Sequence, residues 1–163
     1  MLKLVQLSVK DKEEVYNMLQ RIKANENEFT NGAYGLSYDD FKKWLIQQDN
    51  WSRGVDLPEG YVPQFVYWLF DEDIPVGIGK IRLGLNEQSR KLGGNIGYAI
   101  DPLHRGKGYA TILLGLLLKK ARELEVNEIL LTVEKSNPSS RRVIEKNGGV
   151  LVGENELRWY YTA

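Results

Sequence analysis

Leu2 and Leu4, with Leu7 at the margin, alternate with polar residues, a period of two that predicts a first strand. Ser8-x-x-Asp11 reads as a helix start, because a serine hydroxyl there can satisfy an orphan backbone N–H. Val15, Met18, Leu19 and Ile22 then recur at i, i+3, i+4 and i+7, the buried stripe of an amphipathic helix. The polar stretch ANENEFTNGAYG predicts a loop. Ser37-x-x-Asp40 opens a second helix with Phe41, Trp44 and Leu45 inward, and DNWSRGVDLPEGYVP is an irregular connection rich in Pro, Gly and Asp.

From Phe65 the period shortens. FVYWLF, the turn DEDIP and VGIGKIRLGL predict a hairpin, in which the apolar phase slips between Ile78 and Ile81; a bulge or bend at Gly79 would account for the slip. NEQSRKLGG predicts a loop, and NIGYAI a strand stopped by Asp101-Pro102, since proline cannot continue a ladder. Ile112, Leu113, Leu116, Leu117, Ala121 and Leu124 mark a helix of about five turns. EILLTV predicts a strand, SNPSSRRVIEKNGG a short helix with a glycine C-cap, and VLVGENELRWYYT a closing hairpin. The order β-α-α-β-β-β-α-β-α-β-β makes about seven strands and four helices in one domain over residues 1–163.

Composition removes several chemistries. The 163 residues, 42% of them hydrophobic, suffice for one packed core. Twenty-two Lys and Arg balance 22 Asp and Glu, so no net field exists to hold a nucleic-acid backbone or an anionic membrane. Without cysteine there is no disulfide framework, thiolate nucleophile or Cys-containing zinc site, and His104 is the only imidazole, so no metal is expected. The N-terminus lacks the apolar core of a signal peptide and no apolar run reaches ~18 residues, which makes a cytoplasmic protein the expectation. Charge is partitioned: residues 11–59 hold ten acids and six bases, residues 101–147 nine bases and six acids. The acidic half would draw a cationic amine.

The segment Ile96 to Thr111 carries the chemistry. A strand runs through a turn with Gly106 and Gly108 into a long helix, and backbone N–H groups at such a helix start have no intrahelical acceptors. With Arg105 and Lys107 beside them, a nucleotide or coenzyme pyrophosphate is the natural guest. The P-loop pattern fails, because Gly108 follows Lys107 and position 101 is Asp; the dinucleotide pattern beginning at Gly77-Ile-Gly79 fails at Arg82. Arg-x-x-Gly-x-Ala at Arg105, Gly108 and Ala110 does fit a pattern, and here the sequence resembles the GNAT superfamily of acyl-coenzyme A N-acyltransferases. The strand EILLTV, the helix opened by Asn137-x-x-Ser140 and its end at Lys146-Asn-Gly-Gly agree in order and spacing. In finer detail, IRLGLN through VIEKNGG is similar to a bacterial subgroup of acetyltransferases.

The resemblance is fullest over residues 65–163, implying an acetyl-CoA-binding core with a terminal hairpin there and an acceptor-side strand and helices in residues 1–64. It implies an α/β (α+β) fold with a mixed, mostly antiparallel sheet, in which NIGYAI and EILLTV splay into a slot for the pantetheine arm. Ala99 and Ile100 would pair with the pantetheine amides, and an N–H near Tyr98 to Ile100 would polarise the thioester carbonyl. Arg105, Gly106, Lys107, Gly108, Tyr109 and Ala110 would hold the pyrophosphate on their N–H groups. Asn137 and Ser140 would touch the pantetheine or thiol end, and Lys146 would approach the nucleotide from the other side of the slot. The implied activity is acetyl transfer from acetyl-CoA to a primary amine of a small molecule or peptide, with room for a homodimer. A non-catalytic acyl-CoA-binding or sensing module is the alternative.

Two positions depart from the family pattern. Ile144 stands where a tyrosine usually protonates the departing thiolate, and Asn95 where relatives carry His. Direct attack by the amine is therefore expected, with Tyr98, Glu134 and Tyr160 as candidates for deprotonating it, Glu134 through a water. Tyr34, Tyr38, Trp44 and Trp51 are candidates for an acceptor pocket, as are those of Tyr67, Trp68, Trp159 and Tyr160 that face the splayed end.

Overall fold

A computed structural model describes residues 1–163. The chain forms β1 (Leu2–Gln6), α1 (Glu13–Arg21), β2 (Asn25–Glu26), β3 (Phe29–Thr30), α2 (Tyr38–Ser52), β4 (Gln64–Asp71), β5 (Ile74–Arg82), α3 (Glu87–Lys91), β6 (Ile96–Ile100), α4 (Tyr109–Glu123), β7 (Leu130–Glu134), α5 (Pro138–Lys146), β8 (Val150–Glu154) and β9 (Arg158–Thr162). A 3₁₀ turn, Pro102–His104, links β6 to α4. The seven expected strands are present, but as two sheets of order β1-β4-β5-β6 and β7-β9-β8, all neighbours antiparallel. The gap between β6 and β7 is the feature on which the site depends.

The larger sheet is buried on both faces, which is why β4 and β5 read as nearly continuous apolar runs. On one face Tyr67, Leu69, Ile81, Leu113 and Leu117 pack β4, β5 and α4 together; on the other Met18, Leu19, Phe41, Leu45, Trp68 and Ile78 join α1 and α2 to the sheet. Ile78 and Ile81 thus face opposite cores, and no bulge at Gly79 is needed. The β4–β5 register shifts between Leu69 and Phe70, so Val76 is the extra residue, and it enters the same core as Ile81. Gly79 answers to helix packing: a Cβ there would lie 2.5 Å from Leu117 Cδ1.

Several elements differ from expectation. Residues 25–30 close a small β2–β3 hairpin, its two-residue turn held at positive φ by Asn27 (50°) and Glu28 (69°). Glu87–Lys91 is helical because the Asn86 side chain accepts from Ser89 N while Ser89 Oγ accepts from Asn86 N, a reciprocal cap. Ser8 and Asp11 close a turn instead of capping α1, and Asp11 Oδ2 accepts from the Trp68 indole at 2.8 Å. The α4 helix has 15 residues, nearer four turns than five, and buries Leu114 and Leu118 beside the predicted Leu113 and Leu117, leaving Ile112 exposed. Ser37 does cap α2, accepting from Asp40 N at 3.1 Å. No helix is long and apolar enough to cross a membrane.

Candidate functional site

The slot between β6 and β7 is closed at one end by Asn95. Its backbone N–H donates to Leu130 O at 2.8 Å, its Oδ1 accepts from Leu130 N at 2.8 Å, and its Nδ2 donates to Arg82 O at 3.1 Å. One buried amide therefore joins β5, β6 and β7 at the apex. Asn95 is a clamp here, with every side-chain polar group engaged.

Beyond the apex the strands diverge, and the ladder phase decides which backbone groups are free. Arg82 N donates to Asn95 O and Asp101 N to Val76 O, so Gly97 and Ala99 turn their polar groups toward β5. Ile96, Tyr98 and Ile100 turn theirs into the slot. On the facing strand, Lys135 N donates to Leu157 O and Ala163 N to Ile129 O, which leaves Thr132 and Glu134 facing inward. The sequence reading placed Ala99 and Ile100 together as pantetheine partners; the register separates them, giving the slot Tyr98 and Ile100 while Ala99 serves the β5 ladder. The resulting cavity of about 490 Å³ runs along β6 and past Gly106 and Ala110, with Thr132, Asn137, Ser140 and Val143 opposite.

At its outer end lies the turn into α4. Gly106 (φ 78°) and Gly108 (φ 80°) adopt the left-handed conformation that glycine reaches without strain, and a Cβ on either would meet nothing within 4 Å. The chain's conformation, more than close approach, is what requires glycine here. Gly108 is the N-cap of α4 and has no side chain to satisfy the first N–H groups, which stay available to an anion. Asp101 holds the turn from below: it is fully buried, accepts from Leu103 N at 3.1 Å, and receives Arg21 Nη2 at 2.6 Å. The Arg105 side chain is already engaged, by Ile100 O at 3.1 Å and by the Glu26 carboxylate. Tyr109 turns away, its hydroxyl donating to Asp71, and Lys107 and Lys146 are exposed outside the cavity wall.

Asn137 caps α5, its Oδ1 accepting from Ser140 N at 3.2 Å. The Ser140 hydroxyl meets the Tyr98 hydroxyl at 2.6 Å, a bridge across the slot. Burial pushes the Tyr98 phenol up, with Ser140 opposing, so the phenol keeps its proton. Ile144 is a buried core residue.

The β2–β3 hairpin covers the slot and brings in a residue the sequence reading missed. Glu28 lines the cavity with its side chain 9% exposed and pairs with Arg158 Nε; Arg158 Nη2 also lies 3.7 Å from Glu134 Oε1. Burial raises the Glu28 carboxyl; Arg158 opposes the shift and the neighbouring Glu134 reinforces it. Glu134 itself accepts from Ser136 Oγ at 3.0 Å and does not line the cavity. Tyr160 is outside it as well, its hydroxyl donating to Lys91 O at 2.9 Å. Signal for Glu28 existed in Asn27-Glu28 at the centre of a polar run, but no local pattern marks the fold of that run over β6.

A second cavity, of about 420 Å³, lies behind the hairpin and shares Glu28 and Gly93 with the slot. Trp44, Trp51 and Tyr61 line it, with Lys80 and Arg82 on its floor. Of the other aromatic candidates, Tyr38 stacks on Phe41, Tyr34 is exposed, Tyr67 and Trp68 are core, and Trp159 lies under Arg141.

Solved structures share this fold. The ribosomal-protein-S5-alanine acetyltransferase from Vibrio fischeri superposes with a TM-score of 0.74 at 16% identity, over 99% of this chain and 92% of that one. RimL, a ribosomal L7/L12 alpha-N-protein acetyltransferase in complex with coenzyme A, gives 0.73 at 17%, over 99% and 93%. The Campylobacter jejuni N-acetyltransferase PseH in complex with acetyl coenzyme A gives 0.63 at 17%, over 100% and 98%. No curated protein matches the sequence. The sequence model of the acetyltransferase (GNAT) domain matches residues 1–150, which include both the clamped, splayed strands and the glycine turn, and the chain therefore belongs to the GNAT acetyltransferase family.

Proposed function

We propose that the protein transfers an acetyl group from acetyl-CoA to a primary amine bound in the aromatic cavity, with Glu28 taking the proton of the attacking amine. The observation that carries this reading is the meeting of two cavities at one buried carboxylate. The slot fits the donor: the backbone groups of Tyr98 and the N–H of Ile100, whose carbonyl is taken by Arg105, suit an amide-bearing arm, and the uncapped N–H groups from Gly106 to Ala110 suit a pyrophosphate. Asn137 and Ser140 line the opposite wall. The donor supplies an activated acetyl group; the chain supplies the rest.

An alkylammonium must lose a proton before it attacks. Glu28 stands at the junction, and a carboxyl raised by burial is a stronger base than one in water. Arg158 fixes its orientation and spreads the charge it shares with Glu134. The outward N–H of Tyr98 or Ile100 supplies an oxyanion donor. Tyr98, which keeps its proton and is hydrogen-bonded to Ser140, is not the base. Release of free thiol from acetyl-CoA against an amine library, with mass detection of the acetylated amine, tests the reading. Thiol release that depends on an amine is expected; acetyl-CoA binding with no amine-dependent release contradicts it.

A further inference from the structure

Lys80 and Arg82 are two residues apart on β5 and so project from the same face, into the cavity behind the hairpin. Neither has a carboxylate within 4 Å: Lys80 Nζ donates to Thr30 O at 2.7 Å and Arg82 Nη1 to Gly94 O at 3.1 Å. Trp44, whose indole N–H is a third donor, lines the same cavity. Of the lining residues only Glu28, at the slot end, carries negative charge. Lys80 Nζ also lies 4.9 Å from the centre of the Phe29 ring, so both cations have partners but no negative charge to neutralise them, and an anion entering the cavity would supply it.

We infer that the acceptor is a small zwitterionic molecule, a primary amine carrying a carboxylate or phosphate, whose oxyanion is held by Lys80, Arg82 and the Trp44 N–H while its ammonium is directed to Glu28. This rests on the acetyl-transfer reading for its orientation, not for its binding. It reverses the expectation from the acidic balance of residues 11–59: the cavity floor comes from β5, outside that segment, and is cationic. Diamines and polyamines, which offer a second cation where the floor is cationic, are poor guests. Burial lowers the Lys80 ammonium to about 8, with Arg82 adding repulsion. The titratable groups lining its cavity are Arg82, Tyr61 and Glu28. Binding of an oxyanion accordingly weakens as pH rises through that value.

Tryptophan fluorescence at Trp44 and Trp51 reads occupancy without any chemistry. The probes are an ω-amino carboxylate and an aminoalkyl phosphate of matched length, against the alkylamine and diamine of the same length, with wild type, Lys80→Gln, Arg82→Gln and the charge-conserving Lys80→Arg. Saturable binding of at least one anionic amine is expected, weakened about tenfold or more by each neutralising variant and restored in part by Lys80→Arg. The relative strengths of the two anionic probes distinguish carboxylate from phosphate. Equal or tighter binding of the diamine, no binding of either anionic amine, or unchanged affinity in both neutralised and folded variants would overturn the inference. Binding as expected without thiol release would leave the substrate site standing and overturn the transfer reading instead.

Discussion

Replacing Asn95 by Ala removes two hydrogen bonds and leaves Leu130 N–H and Arg82 C=O without those partners at a site 1% exposed. An unsatisfied buried donor or acceptor costs roughly 1–3 kcal/mol, so two cost about 2–6 kcal/mol, a large share of the ~5–15 kcal/mol that holds a domain together. At ~2–4 °C per kcal/mol for a chain of this size, the melting temperature should fall by roughly 4–24 °C. Asn95→Asp keeps an acceptor for Leu130 N but turns a second oxygen toward Arg82 O, and should be no more stable than Asn95→Ala. Differential scanning calorimetry measures this directly, and titration of acetyl-CoA into the folded variants shows whether the slot has lost its apex. A melting temperature within about 2 °C of wild type in Asn95→Ala would refute the clamp, because the loss would then be at most about 1 kcal/mol.

Other consequences follow from the same geometry. Gly108→Ala forces a side chain to φ 80°, at a cost of about 1–2 kcal/mol, and re-aims the N–H groups at the start of α4; calorimetry should show acetyl-CoA affinity reduced about tenfold in a protein that still folds. Arg21→Ala leaves the fully buried Asp101 carboxylate with the Leu103 N–H but no cation bonded to it and should destabilise by about 1.5–3 kcal/mol in urea unfolding, while Arg21→Ala combined with Asp101→Asn should recover part of that loss. Tyr98→Phe, which loses only the bridge to Ser140, should lower turnover about tenfold or less and leave the acid limb of the pH profile in place.

The elements with strong periodicity were legible in the sequence. Met18, Leu19 and Ile22 are buried as their spacing demands, and Ser37 caps α2. The glycine turn into α4 is also where the pattern put it. What local pattern could not show is what depends on contacts distant in sequence. The alternation of β5 looked broken because both faces of its sheet are buried, and the register shift falls at Val76, three residues before the glycine that invited one. Tyr109 sits inside the motif, yet its side chain is held by Asp71, 38 residues away. Glu28 reaches the slot because the β2–β3 hairpin folds over β6, and its partner there is Arg158, 130 residues later. Lys80-x-Arg82 inside an apolar strand was a visible anomaly, two cations on one face of a buried sheet, and was the sequence's clearest unread sign of the second cavity. Asn95 looked like a missing histidine; its meaning as a clamp required knowing that Leu130 and Arg82 converge on it.

The pH dependence of kcat/KM for wild type and Glu28→Gln, measured from pH 4 to 8 with a saturating amount of acetyl-CoA, tests the central claim most directly. A base works when unprotonated, and burial raises the Glu28 carboxyl above its ordinary value, so the wild-type rate should climb with pH through a limb set higher than an ordinary glutamate. In Glu28→Gln that limb should vanish and the rate should drop by about 10²-fold or more, with acetyl-CoA affinity unchanged. A Glu28→Gln enzyme that keeps the limb and works within about tenfold of wild type would contradict the account, since a dedicated base contributes at least ~10².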